Sequence, residues 1–300
     1  MKAVRGEPPL GVKFNIEGEE EISSPSVIDF ALEHRGLCQA DACIWEFGGR
    51  DIAGRPQVHL GLKGICYVEL RVKGARLDWH SSVAASVPNP ARRLIWALNA
   101  IKGEDGRVKI PGFYDSIKPP TQEEIEALEQ MPNYEAKRLE YLGIEEFPDG
   151  RTSLDLNLQD YFQPTCTVSG FVSGYTGEGA KTVLHSRAMA KLDMRLVADQ
   201  DPFNVYESLR ALLDENGFDD IETELLGPST RHSLQSTRRS SRSLRRRTPT
   251  STGRSLWLVY ATSQGSSGPW YQLCGQFGID ACTAGVGHAK SRAHAPNENI

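Results

Sequence analysis

The chain of 300 residues predicts a mixed α/β protein with two folded units, an α/β unit and an α+β unit whose helices lie on one face of a sheet. Three observations predict it. An acidic cluster, Gly18-Glu19-Glu20-Glu21-Ile22-Ser23-Ser24-Pro25, stands between an apolar alternation and a helix start. Such a strand-to-helix junction is where an α/β sheet presents its functional groups. Near Lys63 the strands change character, because Val68, Leu70 and Val72 alternate with Glu69, Arg71 and Lys73 as in a half-buried antiparallel strand. From there to residue 226, alternating strands are interleaved with amphipathic helices.

In chain order, Val12, Phe14 and Ile16 alternate with Lys13, Asn15 and Glu17 and predict a short strand. Ser24 can then cap a helix that opens at Pro25, buries Val27, Phe30 and Ala31, and stops at Gly36. The carboxylates between them would sit at the carboxyl end of a strand. The alternative is a solvated acidic first turn favoured by the helix dipole. Residues 41–47 predict a strand carrying Glu46, followed by a glycine-rich loop over 48–56 and a strand from Val58 to Leu62.

Asn89 caps and Pro90 opens a helix in which Leu94, Ile95, Leu98 and Ile101 share a face and Gly103 ends the run. Residues 109–143 read as an insertion, with Thr121 and Glu124 forming a capping box over Ile125 and Leu128, and Pro132 as a break. Ala188, Ala190, Leu192, Met194 and Leu196 alternate as a strand. Asp201-Pro202 starts a helix through Val205, Leu209, Leu212 and Leu213 that Gly217 stops, and Ile221 to Leu226 adds a strand. Gly265 to Pro269 introduces a helix over Tyr271 and Leu273, and Gly278 precedes an apolar run from Ala281 to Val286.

A net charge of -5 argues against a nucleic-acid partner. No run of eighteen apolar residues and no leader pattern occurs, which predicts a cytoplasmic protein with no membrane partner. The six cysteines form no Cys-x-x-Cys pair and read as reduced thiols. Residues 229–256 break the pattern, with eight arginines and no acid, while the rest of the chain carries -13. That window predicts a disordered basic linker able to touch phosphates or an acidic surface. Its composition also resembles an out-of-frame reading between two frame shifts.

Read together, EGEEEISSPS, IWEF, LDWHSS with VPNPA, SGYTGEGAKTVL, MRLVADQDP and RAHAPNENI resemble, in order, the co-catalytic zinc peptidases of the aminoacylase, carnosine dipeptidase, glutamate carboxypeptidase and acetylornithine deacetylase family. The resemblance covers nearly everything outside 229–256. It implies an α/β catalytic domain into which an α+β lid and dimerisation domain is inserted: 1–63 as the first catalytic part, 64–226 as the lid, and 227–300 as the C-terminal catalytic part. It implies a homodimer with two zinc ions per subunit, hydrolysing dipeptides or N-acyl amino acids through metal-activated water.

Carried over residue by residue, the resemblance makes Glu20 the general base and Glu21 its adjacent metal ligand, with Glu19 as a competing register. Glu46 becomes the carboxylate of the other metal, with Asp41 a poorer fit, and His294 the C-terminal ligand paired with Glu21. His80 matches a lid histidine that enters the partner subunit's site to stabilise the oxyanion. Its plain alternative is a loop residue bonded to Asp78. Arg195 matches the arginine that grips the substrate carboxylate, the alternative being an exposed strand position beside Asp193. Lys181 and Thr182, with Gly177 and Gly179, match a substrate-facing lid loop, and Gly268 a further substrate contact. The spacing argues against a phosphate loop there, since the glycines lack the four-residue separation.

The family's first metal histidine, its neighbouring aspartate and the bridging aspartate fall before residue 1 in this resemblance. The expectation is therefore an N-terminally truncated chain with little activity alone. Ser23 and Ser82 replace expected glycines, and Ala198 and Asp280 replace expected prolines. A different class of function, a non-catalytic remnant that dimerises or binds acidic partners through its arginines, is the alternative.

Overall fold

A computed structural model of the protein describes residues 6, 10–19, 22, 24–45, 48–51, 54–59, 61–226, 237–238, 257–259, 273–274, 277–283, 285, 287–288, 290–291, 296–297 and 299. Its elements in chain order are α1 (Val27–Glu33), α2 (Arg35–Cys38), β1 (Ala42–Trp45), β2 (Gln57–His59), β3 (Gly61–Leu62), β4 (Gly64–Lys73) and β5 (Trp79–His80). There follow α3 (Pro90–Ile101), α4 (Gln122–Glu129), α5 (Glu135–Leu142), α6 (Ser153–Phe162), β6 (Thr165–Val172), β7 (Val183–Leu184) and β8 (Arg187–Leu196). Helix α7 (Pro202–Glu215), β9 (Glu222–Leu226), β10 (Thr237–Arg238), β11 (Trp257–Val259) and β12 (Asp280–Thr283) complete the order.

The strict alternation of β4 and β8 gives one face to the core and the other to solvent. They pair antiparallel from Gly64 opposite Leu196 to Lys73 opposite Arg187. With β6 outside β8 and β9 outside β4 they make a four-stranded antiparallel sheet in the order β6-β8-β4-β9. Its inner face, including Val68, Leu70, Leu192 and Met194, is closed by Leu94, Ala97 and Ile101 of α3 and by Leu209 and Leu213 of α7. Both helices start as the sequence expects: Asn89 Oδ1 accepts from Arg92 N, and Asp201 Oδ1 accepts from Phe203 N.

The second unit is assembled from the two ends of the chain. Strand β1 pairs in parallel with β12, β2 in parallel with β11, and β3 antiparallel with β10. Val27 and Ala31 of α1 pack with Leu62, Leu273, Cys274, Phe277 and Ile279. The insertion is divided: Ile110 and Phe113 join the core of the four-stranded sheet, whereas Leu128 of α4, with Phe162 of α6 beyond the insertion, packs with Val58 of β2 and Cys282 of β12. The Arg55 guanidinium lies over the Tyr134 ring at 5.3 Å on the same side. Lys63, only 1% exposed, joins the two units between β3 and β4.

Several expectations are corrected. Residues 12–16 are not a strand, and Phe14 and Ile16 are 85% and 88% exposed. Among the described residues no strand lies alongside them, and Lys13 instead donates to the carbonyls of Gly36 and Gln39. Helix α1 begins at Val27 rather than Pro25, because Ser24 takes a left-handed φ of 49° and Ser26 occupies the capping position. Phe30 faces outward, against the His34 ring, and Gly36 sits inside α2 instead of ending α1. In α3 the inner position belongs to Ala97 while Ile95 is exposed.

The capping box at Thr121 and Glu124 forms in full. All six cysteines are free. Residues 229–256 lie outside the described residues apart from the backbone of β10, as does most of the helix expected after Pro269. No helix among the described residues is long and apolar enough to cross a membrane.

Candidate active site

The acidic turn is organised by α1. Ser24 Oγ donates to Glu17 Oε1 at 2.7 Å, and the Glu19 carboxylate accepts from Ser26 N at 3.1 Å and Ser26 Oγ at 3.2 Å. Glu19 therefore does what a carboxylate at a helix N-terminus does, satisfying an orphan N–H beside the positive end of the dipole. Glu20 and Glu21 lie outside the described residues, as do Glu46, Gly268 and His294. Asp41 is exposed at the amino end of β1.

What surrounds these positions is described. Strand β1 ends at Trp45, one residue before Glu46. Just beyond, Arg50 N donates to Gly287 O at 2.8 Å and Gly287 N to Gly48 O at 3.2 Å. A Cβ on Gly49 would run into the Gly287 carbonyl, and one on Gly285 into Gly48, so glycine alone permits this approach. The segment after Glu46 is thus held against the loop that leads to His294. That loop closes locally, with His288 N donating to Ser291 Oγ at 2.8 Å. Beside it His59 is buried, its backbone N–H on Thr283 Oγ1, and burial pulls its pKa down to about 4.

His80 sits on a two-residue ribbon, Trp79 opposite Leu184 and His80 opposite Val183. Ser82 N donates to its Nδ1 at 3.2 Å, which makes Nδ1 the acceptor and leaves the proton on Nε2. Nε2 lies 3.0 Å from Thr182 Oγ1. In this neutral tautomer Nε2–H donates to Thr182 Oγ1, and an Nε2–H is the kind of donor that can serve developing negative charge. Asp78 is not bonded to His80: its Oδ1 accepts from Ser186 N and Ser186 Oγ, both at 2.8 Å, and its Oδ2 meets His185 Nδ1 at 3.1 Å. Those bonds from Ser186 are the main reason its pKa is lowered. Ser82, standing where glycine was expected, also places its hydroxyl 2.9 Å from His80 Nδ1.

Lys181 Nζ lies 5.5 Å above the Tyr175 ring, whose hydroxyl donates to Glu178 O and fills the space a Cβ on Gly177 would need. Arg195 Nε and Nη2 donate to Asp193 Oδ1 and Oδ2 at 2.9 and 3.0 Å. Next to this pair, Lys63 Nζ donates to Gln163 O at 2.6 Å, and burial lowers its pKa to about 8 despite the nearby Asp160 carboxylate. Tyr175, His185 and Ser186 were not picked out as partners from sequence, and Asp78 was named only as a partner of His80, on the Asp-x-His spacing.

The structure does not bring His80 and Arg195 together. Arg195 is opposite Ile65 at one end of β4, and the His80 ribbon leaves the other end, beyond Lys73. Eight residues of strand at ~3.3 Å each separate those ends by roughly 25 Å.

The sequence matches the peptidase dimerisation domain of the M20 group over residues 60–220. It is 26% identical over 209 residues to the Beta-Ala-His dipeptidase of Mus musculus, covering 67% of this chain and 42% of that protein. It is 26% identical over 216 residues to the Cys-Gly metallodipeptidase dug1 of Schizosaccharomyces pombe, covering 67% of this chain and 44% of that protein. Among solved structures, the M20 family metallo-carboxypeptidase Sso-CP2 from Sulfolobus solfataricus superposes with a TM-score of 0.82 at 35% identity, over 95% of this chain and 64% of that one. Human carnosine dipeptidase 1 shares the fold, with a TM-score of 0.79 at 20% identity over 95% of this chain and 62% of that one. The chain spans less than half the length of the two dipeptidases it matches.

Proposed function

This chain belongs to the M20 peptidase family, with that family's catalytic and dimerisation-domain fold, and on that premise we propose that it is part of a homodimeric, metal-dependent dipeptidase. The observation that carries the reading is the separation of His80 from Arg195 along β4. A histidine and an arginine that serve one substrate cannot be carried at opposite ends of a strand about 25 Å long, so each site takes Arg195 from one subunit and His80 from its partner. Residues 1–63 and 227–300 supply the catalytic domain and 64–226 the lid. Within the lid bounds, α4 and α6 pack on the catalytic side.

The family implies a metal cofactor. Among the described residues no group of three His, Cys, Asp or Glu could hold one, and the candidates Glu21, Glu46 and His294 lie outside them. Two carboxylates and an imidazole suit zinc, and the backbone bonds between 48–50 and 287 support their convergence. When bound, the metal acidifies a water molecule.

With Glu19 engaged on Ser26, Glu20 is the carboxylate that would serve as general base for a water so acidified. Arg195, its guanidinium oriented by Asp193, holds the substrate carboxylate, and the partner subunit's His80 turns its Nε2–H from Thr182 Oγ1 to the oxyanion. Lys181, Thr182 and Gly268 face the substrate. The chemistry is that of a cytoplasmic hydrolase of dipeptides or N-acyl amino acids.

The test uses protein isolated from its natural source or expressed from the complete gene, assayed with zinc against β-Ala-His, Cys-Gly and N-acyl amino acids. Metal-dependent hydrolysis is expected, with Glu20→Gln and His80→Ala each inactive. Mixing those two inactive variants under exchange conditions should restore about a quarter of the wild-type rate, one sound site in every hybrid dimer. No recovery would refute the shared site, and no metal-dependent hydrolysis would refute the activity.

A further inference from the structure

The ribbon that carries His80 has two residues on each strand, and Trp79 and His80 are both exposed. So short a pairing does not hold its own register in water. We infer that Asp78 is the positioning residue for His80. Its carboxylate fastens the residue preceding β5 to the two residues that follow β7, through Ser186 N, Ser186 Oγ and His185 Nδ1. Further in, Gly74 N donates to Ser186 O at 2.8 Å, so Ser186 is fixed to the end of the four-stranded sheet and Asp78 is fixed to Ser186.

That anchor sets the register of everything beyond it. With Trp79 opposite Leu184, Ser81 N reaches Thr182 O at 3.0 Å and His80 Nε2 reaches Thr182 Oγ1 at 3.0 Å. A slip of one residue would turn His80 to the opposite face of the ribbon and part it from Thr182. The role in catalysis rests on the reading of His80 as the oxyanion donor, whereas the anchoring of the ribbon does not.

Two variants separate register from charge. Asp78→Ala removes both acceptors, while Asp78→Asn keeps an oxygen for Ser186 and removes the negative charge beside His185. Side-chain nitrogen NMR of the full chain, with the His80 signals assigned through His80→Gln, reads the His80 tautomer directly, and the thermal midpoint of each variant checks the global fold. In the wild type and in Asp78→Asn the His80 signals should report the Nε2–H tautomer, and in Asp78→Ala they should move to averaged values. In active protein Asp78→Ala should lower kcat roughly 10- to 100-fold with KM little changed.

An unchanged His80 spectrum in Asp78→Ala would overturn the inference. So would equal loss in both variants, which would assign the effect to charge, and so would a shifted spectrum with unchanged kcat. If the His80 spectrum behaves as expected but no form hydrolyses peptides, the activity reading fails while the anchor stands.

Discussion

Glutamates 19, 20 and 21 are chemically equivalent, and only the start of α1 distinguishes the first of them. Because Glu19 caps Ser26, Glu19→Gln should cost about 0.5–1 kcal/mol in urea unfolding and leave turnover within a few-fold of wild type. Loss of activity equal to that of Glu20→Gln would mean the register is wrong. Lys63 offers a second test. Its pKa falls from 10.5 to about 8 through burial, so between those values the unfolded chain holds a proton that the folded chain has released. Stability from this group therefore rises as pH increases from 8 to 10.5 and is lowest below pH 8. Lys63→Met should lack that rise, a difference on the order of 3 kcal/mol across the window, read from urea midpoints of both proteins at pH 7 and pH 10.5. The sequence placed a boundary at Lys63 without showing that its ammonium is buried, since its partner carbonyl is a hundred residues away. Asp78 was assigned the wrong partner, His80, for the same reason: its actual partners are Ser186 and His185, more than a hundred positions along.

Elements whose cues are local were legible. Asn89-Pro90, Thr121 with Glu124, and Asp201-Pro202 each open a helix where expected, because a cap needs only residues within one turn. Thr121→Ala should remove the Thr121 half of the box and cost about 1 kcal/mol, measurable as a lowered thermal midpoint with no change of fold. The β4 and β8 alternation was equally clear, as both strands have a single buried face. The alternation at residues 12–16 misled, because period two requires a neighbouring strand as well as a pattern. Helix α4 was read as part of an insertion and α6 was not read at all, and nothing in their own sequence says which sheet they cover. Leu128 and Phe162 choose β2 and β12, a contact made from across the chain.

At the level of the whole molecule, β6 is an edge strand with Val168, Phe171 and Val172 exposed. An apolar edge of this kind needs cover, and in the homodimer we propose, a second copy of the same edge would provide it by two-fold pairing. Sedimentation should show a dimer at tens of micromolar, roughly the range a modest interface supports. Val168→Lys should shift it toward monomer, and with the shared site it should lose activity although no catalytic group is touched. A monomeric wild type with full activity would exclude the arrangement. The pairing of β1 with β12 bears on a different matter, the order of events as the chain is made. The four-stranded sheet has all its strands once β9 has left the ribosome, whereas β1 waits for residues 280–283 before its parallel partner exists. Synthesis therefore delivers the four-stranded sheet before the β1–β12 pairing can form, and β1 must be kept from mispairing until residues 280–283 arrive.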